Sequence, residues 1–367
     1  MKVLVNATSA RLGGGVTVLK HLLPALLAED GGEHRYTVVA RSELRESLDP
    51  HSDRASFLAA PAGAGAARRL VFEQLALPLR WADVLIAAGG VASFASSAPE
   101  VLLIQNAAPF DADVRARAPR WRRARLELLR TLVAASARRA ARVVFLSESA
   151  RATIAPQLGV LPERCACVPL GRDPAFSPAA GAERPPIDGD YVLCVSQHYH
   201  YKNLPELVIG FARAALPAEV RLAIAGEEHE PEVAAEVRRV AVRCGVAERV
   251  LLLGHVDQRR LPALYAGARA FVFPSTCESF PNILVEALAC GAPTAASRLG
   301  PMPEIAGDAA LYFDPFDPDE IGAALSTLHA DGELRASLRA KGPERVARYT
   351  WPATARAMLA LLREAAR

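Results

Sequence analysis

Phe273-Pro274-Ser275-Thr276-Cys277-Glu278-Ser279-Phe280-Pro281-Asn282-Ile283-Leu284-Val285-Glu286-Ala287 reads as a buried strand that exits through Pro274-Ser275, crosses a polar loop and enters a helix. Pro281 suits the first helical turn, where its missing N–H costs nothing. Glu278 lies in the loop and Glu286 just over one turn inside the helix, so both can face a ligand held at the helix N-terminus. That terminus favours an anion such as a diphosphate. A carboxylate one turn deeper can accept paired hydrogen bonds from vicinal hydroxyls, as on a ribose. The plainer alternative is a pair of solvated glutamates at a strand–helix junction.

Outward from this stretch, short apolar runs alternate with amphipathic segments. Strands are expected at Tyr191–Ser196, Val220–Ala225, Arg249–Leu253, Ala270–Phe273, Pro293–Ala296 and Ala310–Phe313. Helices are expected at Leu204–Arg213, Pro231–Cys244, Arg260–Ala266, Asn282–Ala289, Pro318–Asp331 and Leu334–Tyr349, with a further one over Trp351–Ala366. The first half has its own series, with strands at Lys2–Ala7, Tyr36–Ala40, Ala82–Ala88, Val101–Gln105, Arg142–Leu146 and Cys165–Leu170. Continuous hydrophobicity suits parallel strands buried on both faces. Residues 173–190, rich in Pro and Gly, read as a linker. Two βα series around a breaker predict two doubly wound α/β domains, 1–172 and 191–349, followed by a C-terminal helix over 350–367. Two such domains facing each other would make an interdomain cleft.

With 367 residues, 51% hydrophobic and 23% charged, the chain has the balance of a globular protein with two cores. No secretory signal and no stretch of ~20 apolar residues is visible, so a cytoplasmic location is expected. The six cysteines show no Cys-x-x-Cys spacing and read as reduced hydrophobes, not as metal ligands. Net charge is uneven. Residues 1–172 hold 23 basic and 15 acidic side chains, a net of +8; the remainder hold 20 and 25, a net of −5. Different partners for the two halves follow.

After the first strand, Leu12-Gly13-Gly14-Gly15 precedes a helix. Glycines let backbone N–H groups approach a phosphate, and the helix start adds partial positive charge. Gly13, Gly14 and Gly15 are consecutive, so G-x-G-x-x-G is not met and a nicotinamide-dependent oxidoreductase is disfavoured. A plain surface turn is the alternative.

The segment Glu278–Glu286 resembles the E-x7-E motif of retaining GT-B glycosyltransferases of the family-4 group (glycosyl transferases group 1). Lys2–Gly15, Val144–Glu148, Val195–Asn203, Leu252–Val256 and Gly300–Ile305 resemble other stretches of that family, in order and suitably spaced. The resemblance implies an acceptor-binding N-terminal domain and a nucleotide-sugar-binding C-terminal one, acting as a hexosyltransferase. Glu286 would hold the donor ribose, Glu278 would contact the transferred sugar, and Ser279, Phe280, Pro281 and Asn282 would meet the sugar and diphosphate. Lys202 matches the family's lysine and would neutralise the leaving diphosphate. No metal and no cofactor are implied, so fixed cations and helix dipoles must stabilise the leaving group.

Three departures stand out. Gln197 replaces the family's usual arginine, which leaves Lys202 with Arg298 as a stand-in. Pro281 replaces a glycine and removes one amide donor. Gln105-Asn106 stands where many members carry a histidine. Neither can act as a base near neutral pH, so both are assigned to acceptor positioning, with a plain loop as the alternative. A donor phosphate oxygen could take the acceptor's proton instead.

Residues 114–142 carry ten arginines against one acid, Glu127, interspersed with leucines. They resemble a basic amphipathic helix that docks on anionic lipid; a solvated helix packing on its own domain is the alternative. Nucleic acid is disfavoured, because aromatic platforms are missing. The expected activity is sugar transfer to a hydroxyl of a lipid-linked saccharide in surface-polysaccharide synthesis, peripheral on the inner membrane face. The alternatives are a nucleotide-sugar epimerase of the same architecture and a non-catalytic nucleotide-sugar-binding subunit.

Overall fold

Apolar runs flanked by glycine, proline and short polar residues form strands whose side chains are covered on both faces. A computed structural model describes the chain except residues 11–13, 49–51, 62–65, 76–81 and 180–186. The order is β1 (Lys2–Asn6), α1 (Gly14–Glu29), β2 (Arg35–Arg41), α2 (Arg45–Leu48), β3 (Ala55–Ala60), α3 (Ala66–Leu75), β4 (Val84–Ala87), β5 (Glu100–Ile104), α4 (Ala112–Arg117), α5 (Arg120–Arg139), β6 (Arg142–Phe145), α6 (Glu148–Leu158) and β7 (Cys165–Cys167). It continues with β8 (Tyr191–Val195), α7 (Leu204–Arg213), β9 (Arg221–Ala225), α8 (Pro231–Arg243), β10 (Val250–Gly254), α9 (Leu261–Gly267), β11 (Ala270–Phe273) and α10 (Asn282–Ala289). β12 (Thr294–Ser297), α11 (Met302–Ala306), β13 (Ala310–Phe313), α12 (Pro318–Ala330), α13 (Gly332–Val346) and α14 (Trp351–Ala365) complete it.

Two compact units result, Met1–Gly171 with Tyr349–Arg367, and Arg172–Arg348. The first holds a parallel sheet in the order β3-β2-β1-β4-β5-β6-β7, and the second one in the order β10-β9-β8-β11-β12-β13. Both reverse strand order at their centre, as doubly wound sheets do, and ligands of such sheets bind beyond the strand ends at that reversal. In the second unit the reversal falls between β8 and β11.

The α7 helix shows how sequence places an element. Leu204, Leu207, Val208 and Phe211 recur at helical spacing, and all four are fully buried against β8 and β9. Burial of each contributes roughly 1.5–3 kcal/mol. β3 was not expected from the sequence. It is an edge strand with only Ala60 buried, and its short run, Ala55-Ser56-Phe57-Leu58-Ala59-Ala60, holds just two large apolar side chains. The last helix follows the second series in sequence but packs with the first unit. Trp351 of α14 stacks on His21 of α1 at 5.3 Å, and Thr354 Oγ1 donates to the Pro169 carbonyl.

Residues 173–190 were expected to carry no core element. Phe176 is nonetheless fully buried, the one large apolar side chain of its turn, and its ring meets Tyr265 edge-on.

Candidate functional site

Both loops at the reversal of the second sheet carry the expected residues. The chain leaves β8 through Ser196-Gln197-His198-Tyr199 and makes a short turn, His200–Lys202. Asn203 follows in the left-handed region (φ 57°), a conformation that asparagine tolerates better than most residues. Its side-chain amide donates to the Pro315 carbonyl, which fixes the turn before α7 starts. The chain leaves β11 through Pro274–Pro281. Thr276 N donates to the Tyr201 carbonyl at 2.8 Å and ties the two loops together.

Across that tie, Lys202 Nζ lies 2.5 Å from Glu278 Oε1, with side-chain exposures of 10% and 13%. The ammonium also sits 5.4 Å from the Tyr201 ring centre and 5.5 Å from that of Phe273. An ion pair this buried repays its desolvation only with good geometry. Its position beyond the central strands therefore points to a role with a ligand.

A row of rings leads from this pair to Glu286. Phe273 stacks on Phe271 at 6.2 Å, Phe271 meets Tyr265 at 5.4 Å, and the Tyr265 hydroxyl donates to Glu286 Oε2 at 3.3 Å. Glu286 keeps some solvent-accessible surface on the fifth residue of α10, yet protein atoms crowd its carboxyl. Burial pushes its pKa up to about 8; the Tyr265 hydrogen bond opposes this and the nearby Asp173 charge adds to it. A carboxylate starved of water and reachable from outside can gain greatly from hydroxyl donors.

Ser279, Phe280 and Pro281 are buried in the loop before α10, and Asn282 is the first residue of the helix. Pro281 occupies the cap rather than the first turn. Arg298 is engaged with Glu320 of α12, and both are substantially exposed. His198 is 1% exposed in the core of its loop, where burial lowers its pKa, and His200 Nδ1 lies 3.2 Å from Glu230 Oε2.

In the first unit, Gly14 opens α1 and Gly13 lies outside the described residues. A Cβ placed on Gly15 would lie 4.0 Å from Gln105 Oε1, so the glycine loop and Gln105 are neighbours. Gln105 Nε2 donates to the Ala88 carbonyl, and Asn106 Oδ1 accepts from Ala108 N. The Asn106 side chain thus caps its own turn, and Gln105 is the better placed of the two to meet a ligand. Among the described residues, no three His, Cys, Asp or Glu side chains are grouped to hold a metal ion.

One residue missed from sequence sets the position of the Lys202 loop. Gly226 follows β9 with φ 146°, and a Cβ there would lie 1.9 Å from the Ser196 carbonyl oxygen. Gly226→Ala should therefore destabilise the second unit by about 3 kcal/mol or more. Urea unfolding read by circular dichroism checks this; an unchanged transition would mean that the loop yields freely.

Residues 181–345 match the sequence model of the family described as glycosyl transferases group 1. The match covers somewhat less than half of the chain. The O-antigen chain mannosyltransferase B of Escherichia coli is 39% identical over 99 residues, 27% of this chain and 26% of that protein. The chain spans about a quarter to a half of the length of the curated relatives it matches. Among solved structures, sucrose-phosphate synthase of Thermosynechococcus elongatus superposes with a TM-score of 0.78 at 21% identity, over 99% of this chain and 98% of that one. Anabaena HepE in complex with UDP-glucose gives 0.76 at 18% identity, over 98% and 99%. At these identities the likeness is one of fold, and the two parallel sheets are those of GT-B glycosyltransferases. Within the matched residues lie Lys202, Glu278 and Glu286.

Proposed function

We propose that the protein is a retaining glycosyltransferase that moves a hexosyl group from a nucleoside-diphosphate sugar to a hydroxyl of a lipid-linked saccharide. The observation that carries this reading is the buried Lys202–Glu278 pair at the strand reversal, joined by a row of rings to Glu286. Glu286 takes the ribose hydroxyls. The first turn of α10 faces the diphosphate, and Lys202 stabilises the charge that grows as the bond from sugar C1 to phosphate oxygen breaks. Glu278 holds Lys202 in place and meets the sugar. The acceptor oxygen bonds to C1 on the face that the diphosphate leaves. Its proton passes to a phosphate oxygen, so no side-chain base is required at Gln105. Cations and amides of the chain supply the electrostatics, with no metal or cofactor assigned.

UDP-glucose in HepE and the mannosyl transfer named for the E. coli relative support a hexosyl donor. The test is thermal shift of the pure protein with a panel of UDP-, GDP- and ADP-sugars, followed by donor hydrolysis for those that bind. A panel that gives neither stabilisation nor hydrolysis would end the reading.

A membrane-held acceptor is supported by α5. Leu126, Val133, Ala134 and Ala137 pack inward, while Trp121 and Leu128 stand 62% and 59% exposed. Arg125 shares their face, and Arg117 and Arg120 are exposed just before it. No helix among the described residues is long and apolar enough to cross a membrane, so this face would lie on anionic lipid at the inner membrane surface. Vesicles of phosphatidylcholine with phosphatidylglycerol should pull the protein down in a salt-sensitive way, and Leu128→Asp should weaken this about tenfold or more. Equal sedimentation of the variant would remove α5 from membrane contact.

A further inference from the structure

The turn that opens the second unit, Arg172–Ser177, touches α9, the loop after β10 and α10 close to Glu286. Asp173 Oδ1 accepts from Ala175 N at 2.9 Å, Asp173 O accepts from Phe176 N at 3.0 Å, and Arg172 Nη1 donates to the Phe176 carbonyl at 3.0 Å. This stiff turn drives Phe176 against the Tyr265 ring, with centroids 6.0 Å apart. Its other carboxylate oxygen, Asp173 Oδ2, accepts from Gln258 Nε2 of the loop after β10 at 3.1 Å. The Ser177 amide faces Cys290, one turn beyond Glu286.

We infer that the Arg172–Ser177 turn is part of the nucleoside site, with Asp173 and Tyr265 as positioning residues that set how Glu286 meets the donor's ribose hydroxyls. This rests on the reading of Glu286 as the ribose ligand. Tyr265 pins Glu286 Oε2 and leaves Oε1 for the ribose. Asp173 stands as a like charge beside Glu286 and disfavours its ionised form until ribose hydroxyls compensate. The titratable and charged groups facing Glu286 are Tyr265 from α9, Cys290 from α10 and Asp173 from the turn, with Arg172 of the turn beside Cys290 and Cys194 of β8 behind Tyr265. Ionised Glu286 binds the hydroxyls best, so nucleotide binding should release a proton.

The experiment is calorimetry of UDP, GDP and ADP against the full chain from pH 6 to 9.5. For the nucleotide that binds best, affinity should rise about tenfold per pH unit and level off near the Glu286 midpoint, about 8. Asp173→Asn, which removes the charge and can keep the turn, should move that midpoint to lower pH. Tyr265→Phe should move it to higher pH, and Glu286→Gln should abolish the slope. Should Tyr265→Phe fail to fold, Asp173→Asn carries the test alone. An unmoved midpoint in Asp173→Asn, with affinity lowered evenly at every pH or unchanged, overturns the inference. A wild-type slope in Glu286→Gln would instead overturn the ribose reading of Glu286, and no binding of any nucleotide would overturn the proposed function.

Discussion

Glu286→Ala should weaken nucleotide binding about 100-fold or more at pH 8.5, because two hydrogen bonds to a charged acceptor each contribute about 1.5–3 kcal/mol. The stability of the unliganded protein should move the other way. A carboxyl pKa raised from 4.5 to about 8 means that the folded state holds its proton more tightly than the unfolded one. Stability from this group is therefore fully present below pH 4.5 and is lost as pH rises through 8. The isosteric Glu286→Gln should melt higher than the parent above pH 8 and match it near pH 4.5. Such opposition of binding and stability is what a ligand site produces and a structural carboxylate does not. Unchanged nucleotide affinity in Glu286→Ala would remove this residue from the donor site.

Lys202→Ala should lower turnover about 100- to 1000-fold, the range for removing one group that meets charge developing on a leaving group, and should weaken nucleotide binding much less. It should also destabilise the second unit by about 3–5 kcal/mol, since Glu278 would remain as a buried charge without its cation. These two effects can be separated. Adding Glu278→Gln removes the stranded charge, so the double variant should regain most of the stability and none of the turnover. A double variant that regains turnover would reduce the pair to a structural bridge. Donor hydrolysis and thermal unfolding, measured on the same preparations, give both readouts.

The apolar runs made the central strands legible, because a strand covered on both faces must be apolar throughout. β3 escaped because an edge strand can be half exposed, and an alanine-rich run with only Phe57 and Leu58 as large apolar residues looks like a loop. Glu278, Lys202 and Glu286 were legible through spacing and resemblance, since a strand–loop–helix junction limits where those side chains can go. That Arg298 pairs with Glu320 of α12 was not legible, because charge alone does not say which carboxylate a guanidinium will find. Gly226 carried no signal in the sequence, as its necessity comes from a carbonyl thirty residues upstream.

The sequence by itself determined two parallel α/β sheets and the strand end at which the two glutamates sit. Periodicity and breakers are local, and local order suffices for both. Only the tertiary structure decided that the turn at Asp173 stands beside Glu286, that Tyr265 holds that carboxylate, and that Lys202 pairs with Glu278. Each joins segments dozens of residues apart, and pairings at that range are fixed by how whole elements pack.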